Sequence, residues 1–354
     1  MRVAYTLEQC WHDVPGGTAV AALRVYDELR RLDDVDVVGV AGRHRRDPDP
    51  AFRPSADPGR LPLARPWLYE TWNRFEWPRV ERATGPIDVC HSTVAVPAAT
   101  RAPHVVTVHD VAFVHTPDRF TGHGVRVMTA GLDRCRVADL VLCPSTATAD
   151  DLVRLGFDDD RIRVVPWGVE QVEVTADDLA RVRSRFSLPE RFVLAVGTLE
   201  PRKNLPRLAE AVSRLDDDVP LVVAGATGWG DVTIDDDLDV RFVGFVPHGD
   251  LHALYSLATV FAYPSLEEGF GMPILEAMST DTPVVTSRGG ATEEAAGGAA
   301  VLVDPTDVDS IAGGVVEAMS RRDVLVGAGR SRVSSATWAA SAAATAAAYR
   351  EVAR

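Results

Sequence analysis

Short apolar runs alternate with amphipathic stretches along the whole chain, a pattern that predicts parallel strands joined by crossover helices. In the first half the strands fall at 2–7, 35–41, 87–92, 104–109, 139–144 and 162–167, with helices at 18–31, 67–83, 124–137 and 146–155. Residues 42–65, rich in Pro, Arg and Asp, read as an irregular loop. A second series starts near Arg191, with strands at 191–196, 220–225, 240–245, 260–265, 283–287 and 300–304. Its helices are predicted at 204–215, 249–258, 273–279, 291–296 and 307–320. Residues 168–190 read as a hinge followed by a linking helix, and 336–354 as an alanine-rich helix with Trp338 and Tyr349 as its bulky residues. The expected fold class is α/β: two doubly wound domains, 1–170 and 171–330, facing each other across a cleft. The segment 331–354 is expected to pack back toward the first domain.

The composition fits that picture without narrowing it. The 354 residues suffice for two ordinary domains, and 46% apolar with 25% charged residues is usual for a globular protein. No apolar run reaches the roughly 18 residues of a membrane-spanning helix, and the start, MRVAYTLEQC, is broken by Glu8 and does not read as a signal peptide. The expected location is therefore the cytoplasm. Cys10, Cys90, Cys135 and Cys143 lie far apart and read as reduced thiols, without a zinc or disulfide pattern. The net charge of −14 argues against a nucleic-acid partner. It is unevenly spread: 21 arginines face 24 acids in 1–170, while 16 basic residues face 27 acids in 171–354. Arg43, Arg45, Arg46, Arg53, Arg60 and Arg65 could offer a face to anionic lipid or to an anionic acceptor, or simply form a solvated loop. Of the 37 basic residues 36 are arginine, and Lys203 is the single lysine.

Ligands of doubly wound sheets sit beyond the carboxyl ends of strands, so the loops there carry the candidate chemistry. The strongest is PSLEEGFGMPILEAM, Pro264–Met278. Gly269 and Gly271 let backbone N–H groups approach a ligand, and Pro273 suits the first position of a helix. The helix start adds unpaired donors, giving an anion cradle suited to a diphosphate. Glu268 can accept from sugar hydroxyls, and Glu276, expected in the first helical turn, from a ribose diol. A capping box of Ser265 with Glu268, and a Glu276 favoured by the helix dipole, are the plain alternatives.

In VGTLEPRKNLPRLAEAV, Val196–Val212, Gly197 ends a strand and Asn204 is the expected N-cap. Arg202 and Lys203 then sit where the helix dipole disfavours cations, which makes sense around a bound anion; two solvated cations are the alternative. In TVHDVAF, His109 and Asp110 end another strand, where a histidine can hydrogen-bond a sugar or be structural. Gly16 and Gly17 precede a helix at Thr18, as a ligand approach or a plain turn, without a Gly-x-Gly-x-x-Gly fingerprint. The acid runs 158–160, 216–218 and 235–237 sit in polar turns, and no metal-and-diphosphate motif, Walker loop or nucleophile elbow is present.

Together these stretches resemble one family. EEGFGMPILEAM is similar to the glutamate, seven residues, glutamate signature of retaining glycosyltransferases with the GT-B fold. VGTLEPRKNL resembles their phosphate-contacting loop and TVHDVAF the matching loop of the N-terminal domain; CPSTATADDLVRLGFDDDRIRVVPWGV and VLVDPTD also resemble it. The similarity runs in order along nearly the whole chain. It places the protein in glycosyltransferase family four, near bacterial mannosyltransferase-like group 1 members.

The resemblance implies two Rossmann-like domains, with a nucleoside-diphosphate sugar held mainly by the C-terminal one. Glu276 would bind the ribose. Arg202, Lys203 and the backbone of Gly271, Met272, Ile274 and Leu275 would hold the diphosphate. Glu268, Gly269 and Phe270 would hold the sugar, with His109 reaching it from the other domain. Gly197 and Thr198 would line the donor loop, and Val246 would face the base. Gly16, Gly17 and Asp110 would meet the acceptor. His109, Glu268, Arg202 and Lys203 are the implied catalytic set. Many members carry Arg where this chain has Thr198, so Arg202 would supply that charge.

The implied reaction is retaining transfer of a hexose, with mannose the choice the family suggests, to a hydroxyl of a glycan, lipid-linked or small-molecule acceptor. No metal or other cofactor is expected, and a peripheral membrane contact through the N-terminal domain is an added expectation. A sugar-nucleotide epimerase of the same architecture and a non-catalytic nucleotide-sugar-binding subunit are the competing functions.

Overall fold

The computed structural model describes residues 1–12, 15–117, 120–215, 219–226 and 232–353; the acid run 216–218 lies outside the described residues. The chain divides into two units, Met1–Gly168 with Trp338–Arg354, and Val169–Thr337.

The first unit runs β1 (Arg2–Thr6), α1 (Gly16–Leu29), β2 (Asp36–Gly42), β3 (Gly59–Leu61), α2 (Trp67–Phe75), α3 (Glu81–Thr84), β4 (Val89–Ser92), β5 (His104–Thr107), α4 (Ala112–His115), α5 (Gly122–Cys135), β6 (Leu140–Cys143), α6 (Thr146–Arg154) and β7 (Ile162–Val164). Its parallel sheet has the order β3-β2-β1-β4-β5-β6-β7. Two expectations are corrected here. The loop 42–65 is not irregular throughout: β3 pairs with β2, Val40 opposite Gly59 and Gly42 opposite Leu61. Gly59 fits because a side chain there would press to 2.8 Å from the Ala83 carbonyl oxygen. The helix expected at 67–83 is two, because Glu76 turns left-handed and Pro78 has no N–H to continue the ladder.

The second unit runs α7 (Ala176–Arg185), β8 (Val193–Val196), α8 (Leu205–Ser213), β9 (Leu221–Ala224), β10 (Val240–Gly244), α9 (His248–Leu257), β11 (Val260–Tyr263), α10 (Met272–Ser279), β12 (Val284–Ser287), α11 (Gly290–Ala296), β13 (Val301–Val303), α12 (Val308–Ser320) and α13 (Arg322–Ser335). Its parallel sheet has the order β10-β9-β8-β11-β12-β13. The inner strands β8, β9 and β11 are buried and apolar, while the edge strand β10 is partly exposed and carries Arg241; Val193, Leu221, Val223, Val260 and Val285 pack with Leu208, Ile311 and Val315 of the helices. Burying each such side chain contributes about 1.5–3 kcal/mol.

α14 (Trp338–Val352) returns to the first unit. Its buried face is Trp338, Ser341, Ala342, Thr345, Ala346, Ala348 and Tyr349, and it packs against the alanine-rich face of α1. Small side chains on both helices allow that approach. Trp338 and Tyr349 are the exceptions in size, and the Tyr349 hydroxyl meets His91 Nδ1 at 2.7 Å.

Candidate active site

In the second sheet the chain winds outward from β8 through β9 to β10, then returns to lay β11 on the other side of β8. Here the winding reverses, and such a switch point, beyond the carboxyl ends of the strands, is where open α/β sheets bind ligands. The loop after β8 carries Arg202 and Lys203, the loop after β11 Glu268. The topology therefore brings together what the sequence holds 65 positions apart.

Lys203 Nζ donates to Glu268 Oε1 at 2.7 Å, and Arg202 Nη1 donates to Glu268 Oε2 at 2.5 Å. Arg202 Nη2 also pairs with Glu200 at 2.8 Å. The Tyr263 hydroxyl accepts from Lys203 at 2.5 Å and donates to Glu268 Oε1 at 2.8 Å. Burial alone would raise the Glu268 carboxyl, but Lys203 and Arg202 outweigh it and hold it down at about 2. Burial lowers the Lys203 ammonium below its ordinary value against the pull of Glu268. Gly197 makes room for that lysine: its φ is +149°, and a side chain there would lie 3.0 Å from Lys203 Cε.

Asn204 does not cap α8 through its side chain. Its backbone is left-handed, and its amide donates to the carbonyls of Pro264 at 3.0 Å and Pro305 at 2.6 Å, tying this loop to the one that follows β11.

The glutamate loop departs from expectation in three details. α10 begins at Met272 behind a left-handed Gly271 (φ +106°), so no Ser265–Glu268 capping box forms. Pro273 is the second helical residue, and Glu276 lies in the second turn. There the Glu276 carboxylate is buried and accepts from the Tyr255 hydroxyl at 2.9 Å, while its other oxygen has no partner among the described residues. Burial raises its pKa, opposed by the Tyr255 hydrogen bond and by His248. His248 opens α9 directly after Val246 and Pro247, which brings the Val246 turn to the Glu276 end of the site. Ile274 and Leu275 are fully buried, so their backbone and not their side chains can meet a ligand; Phe270 and Met272 are buried too. Thr198 follows Gly197 in the β8 loop, and Gly269 precedes Phe270 in the β11 loop.

In the first unit, His109 Nε2 donates to the Thr93 carbonyl at 2.8 Å. That fixes the N–H on Nε2 and leaves Nδ1 as a buried acceptor without a partner among the described residues. Burial lowers the imidazole below its ordinary value, so it is neutral near pH 7. Its ring meets Trp167 edge-on at 5.3 Å, beside a cavity of about 30 Å³ also lined by His91, Thr93 and Thr107, with room for about one water. Asp110 Oδ1 accepts from the Ala112 N–H at 3.2 Å and so steadies the start of α4. Gly16 opens α1 with φ +62°, followed by Gly17, two residues earlier than the predicted start at Thr18.

The comparisons now decide the family. The pattern described as "Glycosyltransferase Family 4" matches residues 15–171, and "Glycosyl transferases group 1" matches residues 177–331. The chain belongs to the family 4, group 1 glycosyltransferases. O-antigen chain mannosyltransferase B of Escherichia coli is 31% identical over 253 residues, 66% of this chain and 66% of that one. The serotype-specific mannosyltransferase WbdA of Escherichia coli is 29% identical over 196 residues, 49% of this chain and 24% of that one. The match thus spans about two thirds and about a quarter of these relatives. HepE of Anabaena, solved in complex with UDP and glucose, superposes with a TM-score of 0.75 at 17% identity, covering 99% of this chain and 100% of that one. The fold is GT-B, with the two parallel sheets described above.

Sequence reasoning about this glycosyltransferase missed Tyr263, Tyr255 and Glu200. Tyr263 and Tyr255 stand in apolar stretches that read as core. The signal that would have found them is a buried phenol, which needs a hydrogen-bond partner.

Proposed function

We propose that the protein transfers a hexose, with retention, from a nucleoside-diphosphate sugar to a hydroxyl acceptor in bacterial glycan, glycolipid or natural-product glycoside synthesis. The observation that carries this reading is the cluster of Lys203, Arg202 and Glu268 at the switch point of the second sheet, next to the N-terminus of α10. As a diphosphate departs, negative charge grows on it; the two cations and the helix N-terminus stabilise that charge, and no metal is required for it. Glu268 and Glu276 accept from sugar and ribose hydroxyls. The lone pair of His109 Nδ1 is an acceptor for a further hydroxyl. Mannose as the transferred sugar is supported by the names of the two mannosyltransferase relatives.

The test is a thermal-shift panel of GDP-mannose, UDP-glucose and other nucleoside-diphosphate sugars, since a ligand that binds the folded state raises its melting temperature. Stabilisation by at least one, with release of its nucleoside diphosphate when an acceptor is supplied, is the expected outcome. A panel without any shift refutes the donor site.

The protein also rests on a membrane surface through its first unit in this reading. Among the described residues no helix is long and apolar enough to cross a membrane. Trp67, Phe75 and Trp77 are 67%, 71% and 43% exposed around α2, with Arg65, Arg74 and Arg79 exposed beside them in the sequence. Flotation with phosphatidylglycerol vesicles but not with neutral ones is expected, and equal behaviour with both refutes it.

A further inference from the structure

We propose that Tyr263 is a positioning residue of this site: its hydroxyl sits between Lys203 and Glu268, aims the ammonium, and keeps one of its N–H groups for a donor phosphate. The inference rests on the reading of Lys203 as a phosphate-binding cation.

The ring of Tyr263 cannot wander. It closes β11, is buried, and stacks on Phe261 at 5.7 Å and 26°. Its hydroxyl is held at both ends, accepting from Lys203 Nζ at 2.5 Å and donating to Glu268 Oε1 at 2.8 Å. The direct Lys203–Glu268 bond of 2.7 Å closes a triangle. The single phenolic proton fixes the direction of every bond in it: ammonium to phenol, phenol to carboxylate, ammonium to carboxylate. Lys203 Nζ also lies 4.7 Å from the centroid of the same ring. Two of the three ammonium N–H groups are thereby engaged, and the third has no partner among the described residues.

Without the hydroxyl, the ammonium has one strong partner and is free to turn onto the carboxylate. An incoming phosphate must then pull it away. The charged groups acting on Lys203 are Glu268, Arg202 and Glu200, and Tyr263 adds a neutral acceptor that favours the charged amine. Removing that acceptor makes Lys203 lose its proton at lower pH.

Lys203 is the only lysine in the chain, so lysine labelled at Cε with carbon-13 gives a single resonance to titrate. The comparison is wild type against Tyr263→Phe, which keeps the ring, with calorimetric binding of UDP and GDP from pH 7 to pH 10. In the variant, the Lys203 titration moves to lower pH. Nucleoside-diphosphate affinity falls about tenfold at pH 8, the size expected for losing a hydrogen bond to a charged group. In a Lys203→Ala background the same substitution changes affinity by less than about twofold, because its effect passes through the lysine.

Phe261→Leu serves as the packing control: it lowers the melting temperature and leaves the Lys203 titration in place. Superimposable titrations of wild type and Tyr263→Phe overturn the proposal, as does a full additional loss in the Lys203→Ala background. A wild-type protein that binds neither UDP nor GDP overturns the donor reading itself.

Discussion

Replacing Glu268 by Gln removes the charge on which Lys203 and Arg202 converge while keeping the side chain's size. Two routes give the magnitude. The carboxyl is held at about 2 against an ordinary 4.5, which corresponds to roughly 3 kcal/mol of stabilisation at neutral pH. Breaking a buried ion pair by neutralising one partner costs about 3–5 kcal/mol. The lower end applies, because Arg202 keeps Glu200 at 2.8 Å. For a unit of this size, about 2–4 °C accompanies each kcal/mol, so the second unit should melt roughly 6–12 °C lower in the variant.

The pH dependence carries a definite sign. A depressed carboxyl contributes stability that is complete above its ordinary pKa and is lost as pH falls through the folded-state value. Wild type and Glu268→Gln should therefore differ fully at pH 7 and converge between about pH 4.5 and pH 2. Scanning calorimetry in low salt, with and without UDP or GDP, reads all of this. A diphosphate restores negative charge between the two cations, so it should stabilise the variant more than the wild type. A second-unit transition within about 2 °C of wild type at pH 7 would refute the assignment of this cluster.

Lys203→Ala should cut turnover at least about tenfold, roughly 1.4 kcal/mol of transition-state stabilisation; near-normal steady-state rates with an intact fold would remove its role. Glu276→Gln should raise the melting temperature of the ligand-free protein at pH 7, because burial raises this carboxyl and its ionised form costs stability as pH climbs. The same variant should stop distinguishing UDP from 2′-deoxy-UDP in thermal shift, and a retained preference would refute ribose binding. In the first unit, burial holds His91 and His12 at about 3 and His104 at about 4, all below the ordinary 6.5. Bases lowered this way give stability that is complete above pH 6.5 and is lost on acidification, so this unit should melt progressively lower from pH 6.5 to pH 4. A flat melting temperature across that range would contradict the buried network.

The alternating pattern made the doubly wound sheets legible because a strand buried on both faces must be apolar throughout. Lys203 and Glu268 were legible as separate signals, a cation before a helix and an acid before a glycine turn. Their contact was not, since it depends on β11 pairing beside β8. β3 escaped because three residues with Gly59 and Arg60 carry no periodicity; its pairing with β2 is decided by the sheet edge. The break after Phe75 turns on Glu76 adopting a left-handed backbone, which propensity does not favour. Tyr263 and Tyr255 were hidden by the rule that exposed the strands, because a phenol in an apolar run looks like packing. Glu200 stayed unnoticed because nothing in its loop announces that a second acid is buried beside Arg202.

The chain leaves the first unit at Gly168 and re-enters it at Trp338. During synthesis the two partners of the 2.7 Å His91–Tyr349 bond are therefore made far apart in time. At roughly 5–20 residues per second, His91 waits on the order of 10–50 s for Tyr349. Throughout that interval the face of α1 that α14 covers has no mate, while the whole second unit is being made. A nascent chain halted at Thr337 would carry a complete second unit and a first unit still missing its last helix. Quality control acting on this protein would find its exposed apolar surface in the part that was translated first.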